Sequence, residues 1–276
     1  MSEIFNFQRF SRYFRFDLAR MWRNNTKTAI LLGCGSIIAV LLCGIGGLLF
    51  DFRWHTANDP MRLLSFFLCL GILELLMAKT YGFITDRKKG SDFLMIPAST
   101  LEKWVSMMVV CLIVIPVLFL VTYFLVDGFV CLILPDAGHP LFWWTSQGLD
   151  ASRENFVALN EALASKQLPL HYSLGSVIWP VVISACCNYL YFLLCGLLFK
   201  RHKILNAVLV IMGLSFVLSL IAPHLLGGLA AELAGASETE LITLSDQVFR
   251  GATAITAVLA AGLAAGCYFR LRKLSH

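Results

Sequence analysis

The polar stretch from Thr85 to Trp104 lies between two long apolar runs and holds the side chains best suited to bind a partner. Near its start come four consecutive charged residues, Asp86, Arg87, Lys88 and Lys89. A charge at the centre of a bilayer costs roughly 2.5–3.5 kcal/mol on insertion scales. The stretch is therefore predicted to be a loop outside the hydrocarbon. Its basic residues favour the cytoplasmic side of the membrane.

Two helix breaks divide this loop. Gly90 is predicted to end the preceding helix, and Pro97 delays the start of the next helix to a position beyond it. Ser99 or Thr100 supplies the cap, and Ser99 with Glu102 matches the capping-box pattern S-x-x-E before an apolar run. The residues between the breaks, 92–96, have the sequence DFLMI and make about one helical turn with an exposed apolar face. Such a turn in a charged loop is a surface on which another protein can dock.

The loop resembles the segment after the second span of permeases of type-2 ATP-binding cassette (ABC) exporters, in their small bacterial form. The resemblance is carried by D-R-K-K-G-S followed by F-L-M-I-P-A-S-T-L-E-K, within Asp86–Ser106. It implies a cytoplasmic coupling helix between spans two and three that contacts a separate P-loop ATPase. The residues it assigns to that contact are Arg87, Lys88, Lys89, Asp92, Phe93, Leu94, Met95 and Ile96. It also implies two permease chains, identical or related, and ATP held by the partner ATPase, with no cofactor in this chain.

The second predicted span carries an acid, Glu74, near its middle. An ionisable residue at that depth is a functional hypothesis by default, and it is expected to face the bundle interior or a subunit contact. A hydrogen-bonded packing carboxyl is the simpler interpretation, and a proton site for transport is the alternative.

The motifs of several enzyme classes are missing from the sequence. It contains no G-x-x-x-x-G-K-[ST], no H-E-x-x-H and no G-x-S-x-G, and no His/Cys cluster has the spacing of a metal site. The expectation is a transport subunit that is not an enzyme and binds no metal. The nine cysteines all fall inside apolar runs, so a disulfide framework is not expected.

Composition sets the class of protein that must position these residues. Of 276 residues, 58% are hydrophobic and 14% charged, whereas soluble domains carry about 25% charged residues. The fold class predicted is an all-α polytopic membrane protein. The net charge of +5 is explained by basic residues at cytoplasmic span ends, so membrane lipids and not nucleic acid are the expected contacts.

Two regions follow from periodicity and hydropathy. Residues 1–28 are predicted to be a cytoplasmic amphipathic elbow helix that lies at the lipid headgroups, with its phenylalanines on one face and its arginines on the other. Residues 29–276 form the membrane domain, in which six transmembrane helices are predicted at about 29–50, 61–83, 104–134, 173–199, 204–229 and 248–269.

The regions outside and between these spans carry finer predictions. The outer loop 135–172 contains a helix over 150–166 with Asp150 as a candidate cap, and Asp127-Gly128 marks the end of the third span at the outer surface. Pro116 is expected to kink that span. Pro223 with Gly227 and Gly228 suggests a broken or re-entrant fifth span.

Small residues predict where the sixth span packs. Gly262 and Gly266 form a G-x-x-x-G pattern, which allows close approach of another helix. Tight packing within the chain is the simpler explanation of this pattern.

The charge distribution predicts the orientation. The segments predicted to be outside hold few basic residues, namely Arg53, Arg62, Arg153, Lys166 and Arg250, and the others lie mainly at the opposite span ends. Both termini are therefore placed in the cytoplasm. The resemblance to small bacterial permeases implies a multi-pass protein of the bacterial inner membrane.

Three functions are compatible with these features. The first is the permease subunit of an ABC exporter that moves an amphiphilic substrate. The second is a proton-coupled secondary transporter that uses Glu74, and the third is a membrane scaffold or immunity subunit that moves nothing. The first is favoured because it alone explains the loop.

Overall fold

A computed structural model describes residues 5–50, 54–85, 90, 93, 95–134, 139–166, 170–233 and 237–275. These residues are mainly helical and contain no strand. The first helices are α1 (Phe7–Gly33), α2 (Gly35–Phe50) and α3 (Trp54–Thr80), and a 3₁₀ turn (Gly82–Thr85) follows α3. The later helices are α4 (Thr100–Val109), α5 (Ile115–Ile133), α6 (Leu141–Ser165), α7 (Leu174–Leu198), α8 (Lys203–Leu233) and α9 (Glu238–Ser275). The all-α prediction is confirmed for this part of the chain.

Five stretches are long and apolar enough to cross a membrane. They are Pro60–Thr85, Thr100–Ile133, Leu174–Leu198, Lys203–Ile221 and Thr239–Leu274. Each overlaps one of the predicted spans. In the predicted first span, 29–50, the structure gives a shorter apolar helix, Ile30–Leu42.

The N-terminal helix differs from its prediction in extent. α1 does not end near residue 28 but continues to Gly33, and α2 follows after a turn at Cys34. The amphipathic segment and the first apolar run are thus joined by continuous helix.

The helix that holds Pro116 is irregular just before the proline. Residues Val110–Val114 form a π-helical segment between α4 and α5. Proline lacks an amide hydrogen and its ring clashes with the carbonyl four residues earlier, and a π turn relieves this conflict. Just before Pro116, where a kink was expected, the structure has a π-helical segment, which is wider than an α-helix.

Three predicted boundaries are wrong, and in each case helix continues where a loop or break was expected. α6 begins at Leu141 after Pro140, so Asp150 lies inside the helix and is not its cap. α8 runs through Pro223 to Leu233 without the predicted break. α9 begins at Glu238, about ten residues before the predicted start of the sixth span at 248. A polar sequence alone does not end α6 or α9, and Pro223, Gly227 and Gly228 do not end α8.

The long helices form one bundle in which α7 packs on both α3 and α9. The crossing of α3 and α7 is close, because a Cβ added at Gly196 would lie 2.2 Å from the carbonyl oxygen of Ala78. On α9, by contrast, Gly262 is exposed with no atom within 4 Å of an added Cβ, and Gly266 only approaches Leu194 at 3.4 Å. The predicted G-x-x-x-G packing within the chain therefore holds at Gly266 and not at Gly262.

A buried ion pair links three helices at the end of the bundle where α6 lies. Arg62 of α3 and Asp127 of α5 are both fully buried, with Nε–Oδ1 and Nη2–Oδ2 distances of 2.8 Å. Asp127, predicted to mark the emergence of the chain at the outer surface, is buried inside the protein, where its carboxylate also accepts the amide hydrogen of Leu141 at 2.7 Å. The eight cysteines that the structure describes are free thiols.

Candidate functional site

The predicted docking loop meets α1 and α4 at the opposite end of the bundle. We call this meeting point the junction and define it by Arg9, Tyr13, Asp17, Phe93 and Glu102. The start of α4 packs against the buried face of α1 there, and Arg20 of α1 lies against Phe83 of the 3₁₀ turn after α3.

Glu102 is the polar centre of the junction. Ser99 caps α4 in the predicted capping box: its hydroxyl accepts the Glu102 amide hydrogen, and Glu102 Oε2 accepts that of Ser99 at 2.9 Å. The Glu102 side chain is fully buried and also accepts from Arg9, with Nε–Oε2 and Nη2–Oε1 distances of 2.8 Å. The amide of Asn6, which caps α1, donates to Glu102 Oε1 at 2.9 Å. One carboxylate thus joins the starts of two helices, and its hydrogen bond raises the pKa of Arg9.

Asp17 makes a second polar contact between α1 and the bundle. It is 1% exposed, and its Oδ2 accepts the hydroxyl hydrogens of Tyr81 and Ser106, each at 2.6 Å. Among the described residues, its Oδ1 and the hydroxyl of Tyr13 have no hydrogen-bond partner. Burial, together with the charge of Asp17, raises the pKa of Tyr13, so that phenol stays protonated.

Phe93 lies in a cage of rings and cations and is only 1% exposed. Its ring centroid is 5.8 Å from that of Phe83 and 6.4 Å from that of Tyr13. The Arg20 guanidinium lies 3.9 Å from the centroid of Phe83, which places it against an aromatic face at cation–π distance. Lys103, 3% exposed, donates to the carbonyl oxygen of Phe93 at 3.1 Å. Phe93 is therefore held by the contacts of its ring and by one hydrogen bond to its backbone carbonyl.

The predicted docking residues consequently have different environments. Phe93 is not an exposed docking residue, because burying its ring completes the junction. Met95 is 81% exposed, and Ile96 is half-buried against the core. The remaining predicted contacts, Arg87, Lys88, Lys89, Asp92 and Leu94, lie outside the described residues.

A groove of about 470 Å³ adjoins the exposed part of the turn. Arg9, Arg12 and Phe16 line it from α1, and Ile96 and Pro97 from the turn. Arg12 and Phe16 are exposed there, so the groove has both basic and apolar walls. It could receive an apolar side chain flanked by an acidic one.

The buried face of α1 turns toward the protein and not toward lipid. Tyr13, Asp17 and Met21 are buried on it, whereas Phe7 and Trp22 are 73% and 60% exposed. Sequence reasoning missed Asp17. In the helical projection of α1 this acid lies between Tyr13 and Phe10 on the aromatic face, and an acid at that position indicates a polar partner. Nothing local indicated Tyr81 or Ser106, since they lie 64 and 89 residues away.

Further basic contacts hold the same end of the bundle together. Lys203, at the start of α8, hydrogen-bonds through Nζ to the carbonyl oxygen of Gly82. Arg270, near the end of α9, donates to the carbonyl oxygen of Leu197 at 3.2 Å.

Gly90 comes close to the 3₁₀ turn, because a Cβ added to it would lie 2.1 Å from the carbonyl oxygen of Ile84.

Glu74 lies away from the junction, half-buried on α3. Its carboxyl group is hydrogen-bonded to Asn188 of α7. This fits the expectation of an inward-facing, hydrogen-bonded group. In the part of the chain that is described, no group of three or more His, Cys, Asp or Glu residues could hold a metal ion.

These features define a class: an all-α protein with several helices long enough to cross a membrane and a polar junction at one end of its bundle. No protein-family model, curated protein or solved structure matches the chain.

Proposed function

We propose that this chain is the permease subunit of an ABC exporter in a bacterial inner membrane, driven by a separate P-loop ATPase. The observation that carries the proposal is the junction, in which the loop resembling a coupling helix is fixed to α1 and to the start of α4. A force applied to that loop would act on two membrane helices at once. A second permease chain, identical or related, completes the transporter.

Six spans belong to this proposal. The five long apolar stretches supply spans two to six, and the apolar end of α1 together with α2 supplies the first. The basic residues at the junction end put that end, with both termini, in the cytoplasm.

The proposed ATPase contact centres on Met95 and the adjoining groove. Met95 and Ile96 supply apolar contact, and exposed Arg12 and Phe16 extend the surface onto α1. Arg87, Lys88, Lys89, Asp92 and Leu94 remain in the proposed contact as the resemblance implies. Phe93 has a different role: it links the contact surface to the protein interior.

Coupling would pass from the turn into the bundle through buried contacts. Movement of residues 95–97 pulls on Phe93, whose carbonyl is bonded to Lys103 on α4. Glu102, the neighbour of Lys103, carries the same movement to Arg9 on α1. Closure of the ATPases would thereby shift α1 and α4 together and open the bundle to the other side.

Co-purification tests the ATPase contact. The tagged protein is extracted from the host membrane with mild detergent, and the amount of P-loop ATPase retained is compared for the wild type, Met95→Asp and Leu149→Asp. Leu149 is a matched control, because it is also an exposed apolar residue but lies on α6 at the other end. We expect Met95→Asp to reduce the retained ATPase at least about tenfold, since a buried charge replaces a buried apolar side chain. Retention by Met95→Asp, with both variants monodisperse, would refute the proposed contact.

A proton-coupled transporter is the second candidate, favoured by the half-buried Glu74 bonded to Asn188. It predicts substrate flux into proteoliposomes driven by a pH gradient without any ATPase. Glu74→Gln would abolish that flux, and an unchanged rate would eliminate this candidate. Flux of either kind would exclude the non-transporting scaffold.

A further inference from the structure

A trough of about 810 Å³ runs between α7 and α9 at the end of the bundle opposite the junction. One wall comes from residues 171–180, which lead into and begin α7, and the other from residues 246–257 of α9. From residue 174 onward the first wall, and the whole of the second, belong to stretches long and apolar enough to cross a membrane, so we infer that the trough opens toward lipid.

The upper end of the trough is polar and built from buried and bonded groups. Asp246 is 6% exposed, and its Oδ2 lies 2.8 Å from Nε of Arg250. The hydroxyl of Tyr172 donates to the same carboxylate. Tyr172 is itself fixed, because its backbone exchanges two hydrogen bonds of 2.8 Å with the side-chain amide of Asn160 on α6. Burial, with this hydrogen bond, raises the pKa of Tyr172, so its hydroxyl remains a donor.

At the polar end of the trough, this arrangement leaves the Arg250 cation accessible and the Asp246 carboxylate inaccessible. The Asp246 carboxylate already accepts from two partners and is shielded from solvent. Arg250 is 65% exposed and uses Nε for Asp246, so its terminal nitrogens remain as donors. A guanidinium held at one edge in this way matches the oxygens of a phosphate group. His171, exposed beside it, adds a further donor.

Below the polar end the walls are apolar. Trp179 and Pro180 form one side, and Phe249, Ala254 and Ala257 form the other. At a rise of about 1.5 Å per residue, the eleven-residue step from Asp246 to Ala257 spans about 16 Å. That length accommodates most of an acyl chain, and the small side chains of α9 leave the width for it.

We propose that the trough is a binding site for one phospholipid, with its phosphate on Arg250 and an acyl chain between Trp179 and Ala257. Any bilayer fills a lipid-facing trough with hydrocarbon. Specific binding of one lipid comes from the polar end, where Arg250 contacts the headgroup. The site does not depend on the proposed ATPase, and it lies at the other end of the molecule from the junction.

Native mass spectrometry of the detergent-purified protein tests this site. Phosphatidylglycerol and diacylglycerol of the same acyl chains are titrated onto the wild type, Arg250→Gln and Arg153→Gln. Arg153 is the matched control: an exposed arginine near the same end, 3.9 Å from Asp150. We expect one tightly bound phosphatidylglycerol in the wild type and in Arg153→Gln, with about tenfold weaker binding in Arg250→Gln and of diacylglycerol. Equal binding of both lipids, or of phosphatidylglycerol to all three proteins, would overturn the proposal and identify ordinary annular lipid.

A second variant keeps the test valid if Arg250→Gln does not fold. Ala257→Phe fills the apolar end of the trough without touching Asp246 or Arg250, and it is expected to expel the bound lipid. Unchanged lipid binding in this variant would place the lipid elsewhere and refute the site. Soluble glycerol 3-phosphate provides the last arm: it should not compete at millimolar concentration, and displacement of the lipid would show a site for free phosphate instead.

Discussion

Removing one member of the Arg62–Asp127 pair is expected to be among the most destabilising single changes outside the junction. Both side chains are fully buried, and two hydrogen bonds of 2.8 Å join them. Asp127→Leu would remove the carboxylate partner of a guanidinium that cannot lose its charge inside the protein, while the bond from Arg62 to the His139 carbonyl oxygen, at 3.0 Å, would remain. Breaking a buried pair in this way costs about 3–5 kcal/mol.

The double variant Arg62→Met with Asp127→Leu distinguishes an ion-pair effect from a packing effect. It leaves no buried charge, and replacing a buried ion pair by apolar side chains of similar volume is often neutral or even stabilising. Because the bonds to His139 and Leu141 are also lost, we expect it to lose about 1–3 kcal/mol and to be more stable than Asp127→Leu alone. The coupling energy between the two positions should then be several kcal/mol.

Thermal unfolding in detergent measures these differences. At about 2–4 °C per kcal/mol for chains of this general size, Asp127→Leu should lower Tm by about 6–20 °C. Asp150→Leu is the control, because its pair with Arg153 is 71–74% exposed and such pairs contribute about 0–1 kcal/mol. Strictly additive losses in the double variant would refute the conclusion that the charges stabilise each other.

The close helix crossing and the second polar contact of the junction give two further predictions. Gly196→Ala should lower Tm, because the added Cβ would overlap the Ala78 carbonyl oxygen. Gly213→Ala is the control: it lies in open space on α8 and should be neutral or stabilising by up to about 1 kcal/mol. Equal Tm values for the two variants would contradict the close crossing of α3 and α7. Asp17→Asn keeps the size of the side chain but removes the charge that two hydroxyl groups donate to, and should cost about 1.5–3 kcal/mol in denaturant unfolding. A midpoint identical to wild type would show that these bonds contribute nothing.

Local sequence rules predicted the parts of the fold that depend on local chemistry. The capping box at Ser99 and Glu102 is an interaction across three residues, and it forms as predicted. The fourth predicted span, 173–199, agrees closely with Leu174–Leu198 because a polar turn follows it at once. α9 extends beyond its apolar run because residues 238–247 contain no proline or glycine to stop the helix.

Long-range pairing explains what the sequence could not indicate. Arg62 and Asp127 were each assigned to the outer boundary as isolated charges, and only their contact across 65 residues allows both to be buried. Phe93 was assigned to the surface because its loop is charged. Its burial depends on Phe83, Arg20 and Tyr13, which come from two other elements.

The polar contacts together restrict how the long helix α4–α5 can move. Its start is held to α1 through Glu102, and its far end is held to α3 and α6 through Asp127. Between these fixed ends lies the π segment Val110–Val114, the one irregular stretch of backbone in that helix. A displacement of the junction relative to the other end must therefore be absorbed mainly there, because the flanking α-helical turns are regular and stiffer. If the junction receives force from an ATPase, Val110–Val114 is where that movement is converted into a change of helix direction.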